Sequence, residues 1–331
     1  MVEIECKILS VCMRQQHCAD IACTEGQFDP QAPFPYIPHP SIHRPSPISH
    51  SSPLPSYTMS IPSPTQTYHT DTYPSISPTL AHLSTAGKSA FVTGAGAGGI
   101  GAAIAASLAR SGISTLGLLG RNESRLRETQ KSLQAIAPTT TIHIYIADLT
   151  DCPAVQKVVS TFAAAVASGT IDILVANAGY LADLSSVAAA EPADWWSGFE
   201  TNVLGNLYLL QAFLPLASAG TKGDGQGAAI VHISTAAIHG PYLPGHSSYR
   251  ASKAGATKLF EYVAAEHPDL FVLQVHPGLI LTTRMSDKFR DSVTGFEGDN
   301  GEYIFYSPAC FPGFPPLTPI RFFLLLELQG G

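Results

Sequence analysis

The sequence predicts an α/β fold built on a doubly wound parallel sheet, and three observations carry that prediction. From Lys88 to residue 283, short apolar and β-branched runs alternate with Ala-rich amphipathic stretches, the pattern of strand–helix–strand units. A glycine-rich turn joins the first run directly to the first helical stretch, as a nucleotide-binding turn does. The runs are apolar nearly throughout, which suits strands covered by helices on both faces. The predicted strands are Ala90–Val92, Thr115–Leu119, Thr141–Ile146, Ile171–Val175, Ala229–Ile233 and Leu270–Val275. The predicted helices are Ala102–Arg110, Glu123–Ala135, Ala154–Ala167, Trp195–Ala217 and Tyr249–Glu266.

The flanks have a different composition. Thirteen of the 26 prolines lie in residues 1–84, and Pro30 to Pro78 is Pro, Ser, Thr, His and Tyr without period. Proline fixes φ and removes backbone donors, so residues 1–58 are expected to be a disordered extension, followed by an arm over 59–87. A Pro-rich ligand for a partner domain is the functional alternative for that segment. The tail, 284–331, has five prolines in residues 307–319 and closes with the apolar run Ile320 to Leu328. That run suffices for one strand and is too short to span a bilayer.

Composition excludes several classes of function. The formal net charge of -7 and a charged fraction of 13% leave no electrostatic footprint for nucleic acid or an anionic membrane. The N-terminus carries Glu3, Glu5 and Lys7 before any apolar stretch, unlike a secretory signal. Six cysteines are too few for a disulfide scaffold, and Cys6, Cys12, Cys18 and Cys23 match no common zinc spacing. The 12 histidines are scattered, so no metal site is expected. The expected compartment is the cytoplasm.

The first strand runs into Thr93-Gly94-Ala95-Gly96-Ala97-Gly98-Gly99-Ile100-Gly101. Glycines at Gly94, Gly98, Gly99 and Gly101 would let backbone N–H groups approach a pyrophosphate. The positive end of the helix that starts near Ile100 would favour the anion. The second strand ends at Leu119-Gly120-Arg121-Asn122. An NAD site usually has a carboxylate here, which would repel a 2′-phosphate, whereas a guanidinium binds one in two-pronged fashion. Gly120 and Arg121 therefore predict NADP(H) over NAD(H); the blander reading of Arg121 is a solvated loop charge.

Tyr249-Arg250-Ala251-Ser252-Lys253 sets Tyr and Lys four apart on one helix face, about 14 residues after Ser234-Thr235. Together with the glycine turn, this resembles the short-chain dehydrogenase/reductase family, and most closely its fungal members of unassigned substrate. The resemblance runs from about Met59 to Thr282. Asp148-Leu149 resembles the family's adenine contact, Asn177-Ala178-Gly179 its motif after the fourth strand, and Asn202 the Asn of the next helix. Pro277-Gly278, with Thr282 beyond, resembles the loop that closes over the nicotinamide. The implied fold is a Rossmann fold.

The resemblance implies hydride transfer between the nicotinamide and a neutral carbonyl or secondary alcohol. Tyr249 would exchange the proton. The Lys253 ammonium and the nicotinamide charge are expected to draw its phenol below the usual value of about 10. Lys253 would also hold the ribose, a hydroxyl from Thr235 or Ser234 would bond the carbonyl oxygen, and Asn202 would anchor a relay water. Helices such as Trp195–Ala217 and Tyr249–Glu266 imply a homodimer or homotetramer. Tyr180, Leu181, Tyr242 and Leu243 follow strand ends and imply an apolar substrate pocket.

Three departures accompany the likeness. The glycine turn is one residue longer than the family's usual spacing, which leaves the middle role to Gly98 or Gly99. The usual catalytic Ser falls on Thr235, whose χ1 is stiffer. Residues 284–331 do not read as the family's lid helix and last strand, and Met59 is where such a protein is expected to begin. Two rival readings follow: a cofactor-binding protein with little turnover because of its ending, and an interaction protein acting through its Pro-rich segment.

Overall fold

A computed structural model describes residues 74–219, 227–240, 242–278, 280 and 282–289. The predicted extension 1–58 and the run Ile320–Leu328 lie outside the described residues, as does most of the tail.

Six parallel strands form one sheet: β1 (Ser89–Thr93), β2 (Thr115–Gly120), β3 (Thr141–Ile146), β4 (Ile173–Ala176), β5 (Ala229–Ile233) and β6 (Phe271–Val275), in the order β3-β2-β1-β4-β5-β6. Every predicted strand is present within two residues at each end. Six α-helices connect or follow them: α1 (Ile100–Arg110), α2 (Glu123–Ile136), α3 (Cys152–Ala165), α4 (Pro192–Phe199), α5 (Gly205–Phe213) and α6 (Ser247–Glu266).

Local chemistry sets the helix starts. The Asn122 side chain accepts the Arg125 N–H at the head of α2, and Asp151 accepts the Ala154 N–H at the head of α3. Each satisfies one of the orphan donors of a first turn. α4 opens with Pro192 behind the cap Glu191, where the missing proline N–H costs nothing.

Side chains of a strand alternate between faces, and the core divides accordingly. Ala90 and Val92 of β1 join Ile104, Leu108, Leu116 and Leu126 on the α1–α2 side. Phe91 joins Phe162, Leu174, Phe213 and Phe260 on the side of α3, α5 and α6. Gly117 makes room for this second layer, since a Cβ there would lie 2.5 Å from the Phe91 ring. The sheet is covered on both faces: a doubly wound, Rossmann-type fold.

Two expectations need correction. Burial on both faces holds along β1, β4 and β5, but β3 and β6 flank the described sheet and are only partly buried over most of their length. The single helix expected over Trp195–Ala217 is instead α4, a π-helical segment (Glu200–Leu204), α5 and a 3₁₀ turn (Leu214–Leu216). The π segment contains Asn202, whose side chain is turned wholly into the protein. Among the described residues no helix is long and apolar enough to cross a membrane.

Candidate active site

The strand order reverses between β1 and β4, and in open parallel sheets a crevice opens at such a point, outside the carboxyl ends of the strands. Thr93 and Asn177, at the ends of those two strands, stitch its floor. The Asn177 amide donates to the carbonyls of Thr93 (2.9 Å) and Gly94 (3.2 Å). The Thr93 hydroxyl accepts the N–H groups of Asn177 and Ala178, each at 3.0 Å. A Cβ on Gly94 would lie 2.9 Å from the Ala178 Cα, and one on Gly101 2.6 Å from the Gly94 carbonyl oxygen. Only glycine permits this approach.

The structure resolves the longer glycine turn. Gly99 is the cap residue of α1, in extended conformation and without a side-chain cap bond, so the first-turn N–H groups of α1 face the turn. Gly98, just before it, is exposed and left-handed at φ 72°. The turn thus offers bare backbone donors at a helix N-terminus, a donor set that fits a dinucleotide pyrophosphate.

At the end of β2, Arg121 is largely exposed, and its guanidinium lies 3.3 Å from the Asp148 carboxylate. Burial pushes Asp148 up, but bonds from the Thr150 N–H and hydroxyl and the Arg121 charge outweigh it and hold the carboxyl below its ordinary value. Leu149 beside it is buried in the core.

On the other side of the crevice, α6 carries Tyr249 and Lys253. Tyr249 is half-buried, and the Thr235 side chain is the polar group that acts on its phenol. Burial raises that phenol to about 12, although Thr235 pulls the other way. The protein's own groups therefore do not draw Tyr249 down as the sequence led one to expect. Ser234 is buried and its hydroxyl pairs with that of Thr257 at 2.9 Å. Of the two adjacent hydroxyls, Thr235 is the one at Tyr249.

Lys253 is 3% exposed, and its ammonium donates to the Ile233 carbonyl at 2.7 Å. Burial lowers it to about 8. A Cβ on Gly179 would lie 3.6 Å from this ammonium, which fixes Lys253 beside the loop after β4. Asn202 clasps that loop: its Oδ1 accepts the Tyr180 N–H at 2.8 Å and its Nδ2 donates to the Tyr180 carbonyl at 2.9 Å. The same Nδ2 donates to the Ser252 hydroxyl at 2.9 Å. Sequence reasoning passes over Ser252; its place one turn after Tyr249, on the helix face shared with the π segment, is the only signal.

Past β6, Pro277 and Gly278 (φ 83°) lead to buried Ile280, exposed Thr282 and a 3₁₀ turn at Ser286–Lys288. The Lys288 ammonium returns to the loop after β4, donating to the Leu181 carbonyl at 2.8 Å and the Asp183 carboxylate at 2.7 Å. It also stands 5.4 Å from the centroid of the Tyr180 ring, whose hydroxyl donates to Asp194. That bond, with burial, raises the Tyr180 phenol to about 12. Tyr242 and Leu243, expected to line a pocket, are exposed.

Known proteins share this arrangement. The family model described as short chain dehydrogenase matches residues 88–293. The short chain dehydrogenase/reductase AacuD of Aspergillus aculeatus is 30% identical over 239 residues, 72% of this chain and 79% of that protein. A short chain dehydrogenase of Shigella flexneri 2a strain 301 complexed with NADP is similar at TM-score 0.55 and 26% identity, over 64% of this chain and 84% of that one. An NAD+-bound xylitol dehydrogenase is similar at TM-score 0.53 and 28% identity, over 59% of this chain and 72% of that one. Since the matched residues take in all six strands, the glycine turn and the helix of Tyr249 and Lys253, the chain belongs to the short chain dehydrogenase family.

Proposed function

We propose that the protein is an NADP(H)-dependent oxidoreductase that interconverts a neutral carbonyl compound and its secondary alcohol. The observation that carries the reading is that Tyr249 and Lys253 stand one turn apart on α6, with the Lys253 ammonium fixed on the Ile233 carbonyl at the end of β5. When bound, the nicotinamide supplies or takes the hydride. The chain's own residues do the rest.

Tyr249 gives the proton to the nascent alkoxide in reduction and takes it in oxidation. A phenol near 12 is protonated around neutrality, the state a proton donor needs. Thr235 orients the phenol and bonds the substrate oxygen where charge develops. Lys253 spends one of its three donors on Ile233, which leaves two for the nicotinamide ribose. The ammonium is largely charged below pH 8. Gly94, Gly98, Gly99, Ile100 and Gly101 hold the pyrophosphate, Asp148 and Leu149 flank the adenine, and Asn177, Ala178 and Gly179 support the nicotinamide side. Pro277, Gly278 and Thr282 close over it.

Asn202 acts here as a positioning residue, since its amide is committed to Tyr180 and Ser252. NADP(H) is favoured by the absence of a carboxylate at Gly120 and by the cation at Arg121; the NADP-bound and NAD+-bound relatives do not decide between the cofactors. Exposed Trp196, Leu204 and Tyr262 on α4, the π segment and α6 suit the self-association expected of these helices.

Tyr249→Phe tests the reading. Oxidation of NADPH against a panel of neutral ketones is expected to fall by about 100-fold or more, the lower range for a lost general acid. Cofactor affinity should stay within about twofold, well under the tenfold that 1.4 kcal/mol represents. Retention of most of the wild-type rate would remove Tyr249 from the chemistry.

A further inference from the structure

The glycine turn does not stand alone; it is bolted to the first two turns of α2. The Ala97 N–H donates to the Arg125 carbonyl at 3.2 Å, and the Thr129 hydroxyl donates to the Ala95 carbonyl at 2.9 Å. The Arg125 N–H is held in turn by the Asn122 side chain at 3.1 Å. A Cβ at Gly96 would lie 3.4 Å from the Arg125 Cβ, and one at Gly98 3.4 Å from its Nη2. The guanidinium therefore lies along Gly98, at the gap where the turn meets the start of α2.

Three arginines follow β2 within seven residues, and their partners differ. Arg121 pairs with Asp148 and Arg127 with Glu123. Arg125 is half-buried, and among the described residues its guanidinium has no carboxylate or carbonyl partner. A planar cation with fixed backbone, packed on bare glycine and without an internal anion, is suited to an anion from outside. A phosphate in the gap would meet Arg125 directly, whereas Arg121 must first loosen its hold on Asp148.

We infer that Arg125 is a second, preorganised cation for the 2′-phosphate of NADP(H), held against the glycine turn at Gly98. The inference rests on the NADP(H) reading above and deepens it. It makes Arg125 a selectivity residue alongside Arg121. At Gly98 the left-handed backbone (φ 72°) would be strained by any side chain, and a Cβ there would touch the guanidinium at 3.4 Å.

Calorimetric titration of the full chain with NADPH, NADH, adenosine 2′,5′-bisphosphate and ADP separates the possibilities, with no turnover required. In Arg125→Ala, binding of NADPH and the bisphosphate should weaken about tenfold or more, the scale of one charge-assisted contact. NADH and ADP should change less than about twofold, far below that tenfold step. Arg125→Gln keeps the stem and should give the same selective loss, which sets a folding artefact aside. Equal weakening of NADPH and NADH would assign Arg125 to the shared pyrophosphate and overturn the inference. A wild-type preference for NADPH that survives unchanged in both variants would overturn it too, while leaving the cofactor reading intact. A wild-type chain that binds NADH as tightly as NADPH would overturn both.

Discussion

The two sides of the crevice are built on opposite principles. Along β1 and β2 the protein offers backbone, bare glycine and solvent-facing cations: Gly98 and Arg121 are exposed, and Arg121 is held only by an ion pair. Along β4, β5 and α6 it offers buried polar side chains with fixed partners: Asn202, Ser252 and Lys253 are all buried, and each is held by at least one internal hydrogen bond. The first side can be rewritten cheaply, since exposed ion pairs contribute about 0–1 kcal/mol. On the second, a change strands a buried group, at about 1–3 kcal/mol each. Selectivity belongs to the first side, and reactivity and stability are coupled on the second.

Acid should expose that difference most strongly. His232 on β5 is fully buried, stacked on Phe260 at 4.1 Å with its Nδ1 3.0 Å from Gln274 Oε1. Burial first, then the Lys253 charge, lowers it to about 3, and burial lowers His276 to about 4. Between those values and 6.5 the unfolded chain binds protons that the folded chain does not. Stability therefore rises with pH in this window and is lost as pH falls through it. At pH 5 the loss should be on the order of 2 kcal/mol for each histidine relative to pH 7. Urea unfolding at the two pH values measures it. A midpoint unchanged between pH 7 and 5 would show that these histidines are not held neutral by the fold. Asp148 and Asp194, both held below their ordinary values, begin to matter only further down.

Asn202→Ala should come next, at about 3 kcal/mol, because it strands the Tyr180 N–H and carbonyl together and takes from the Ser252 hydroxyl one of its two bonds. Denaturant unfolding at pH 7 reads the loss. A cost below about 1 kcal/mol, the scale of one ordinary hydrogen bond, would mean that the clasp is replaced by water and that the buried side of the crevice is looser than its geometry implies.

The strands and the glycine turn were legible because burial writes itself into composition: a strand enclosed on both faces, such as Ile173–Ala176, has no polar residue to confuse the pattern. The π segment was not, since Glu200 to Leu204 contains no proline or glycine and helical periodicity carries no mark of one wider turn. What holds it is a contact across 22 residues, between Asn202 and Tyr180. Between Thr235 and Ser234, counting along the strand pointed to Thr235, but the bond that occupies Ser234, to Thr257 across 23 residues, left no mark in the sequence. Arg125 escaped notice because what singles it out is a contact with the glycine turn, a segment far from it in sequence. Tyr249 and Lys253 could be named from spacing, but the direction of the Tyr249 shift depends on burial, which spacing does not contain.

The smallest expected effect tests the open side. Arg121→Ala removes a guanidinium whose side chain is 69% exposed and whose partner Asp148 is 37% exposed. Solvent screens that pair, so unfolding free energy should change by less than about 0.5 kcal/mol. Asp148 keeps its two bonds from Thr150, at 3.0 and 2.9 Å, and is not stranded by the change. Its carboxyl should nevertheless rise toward the ordinary value, since one of the forces lowering it is gone. Urea unfolding at pH 7 gives the first quantity, and an NMR titration of the Asp148 carboxyl carbon gives the second. A loss above about 1 kcal/mol would be too large for an exposed pair and would place Arg121 among the structural supports. In that case the contrast between a rewritable side and a committed side would fail at the residue where it predicts the greatest freedom.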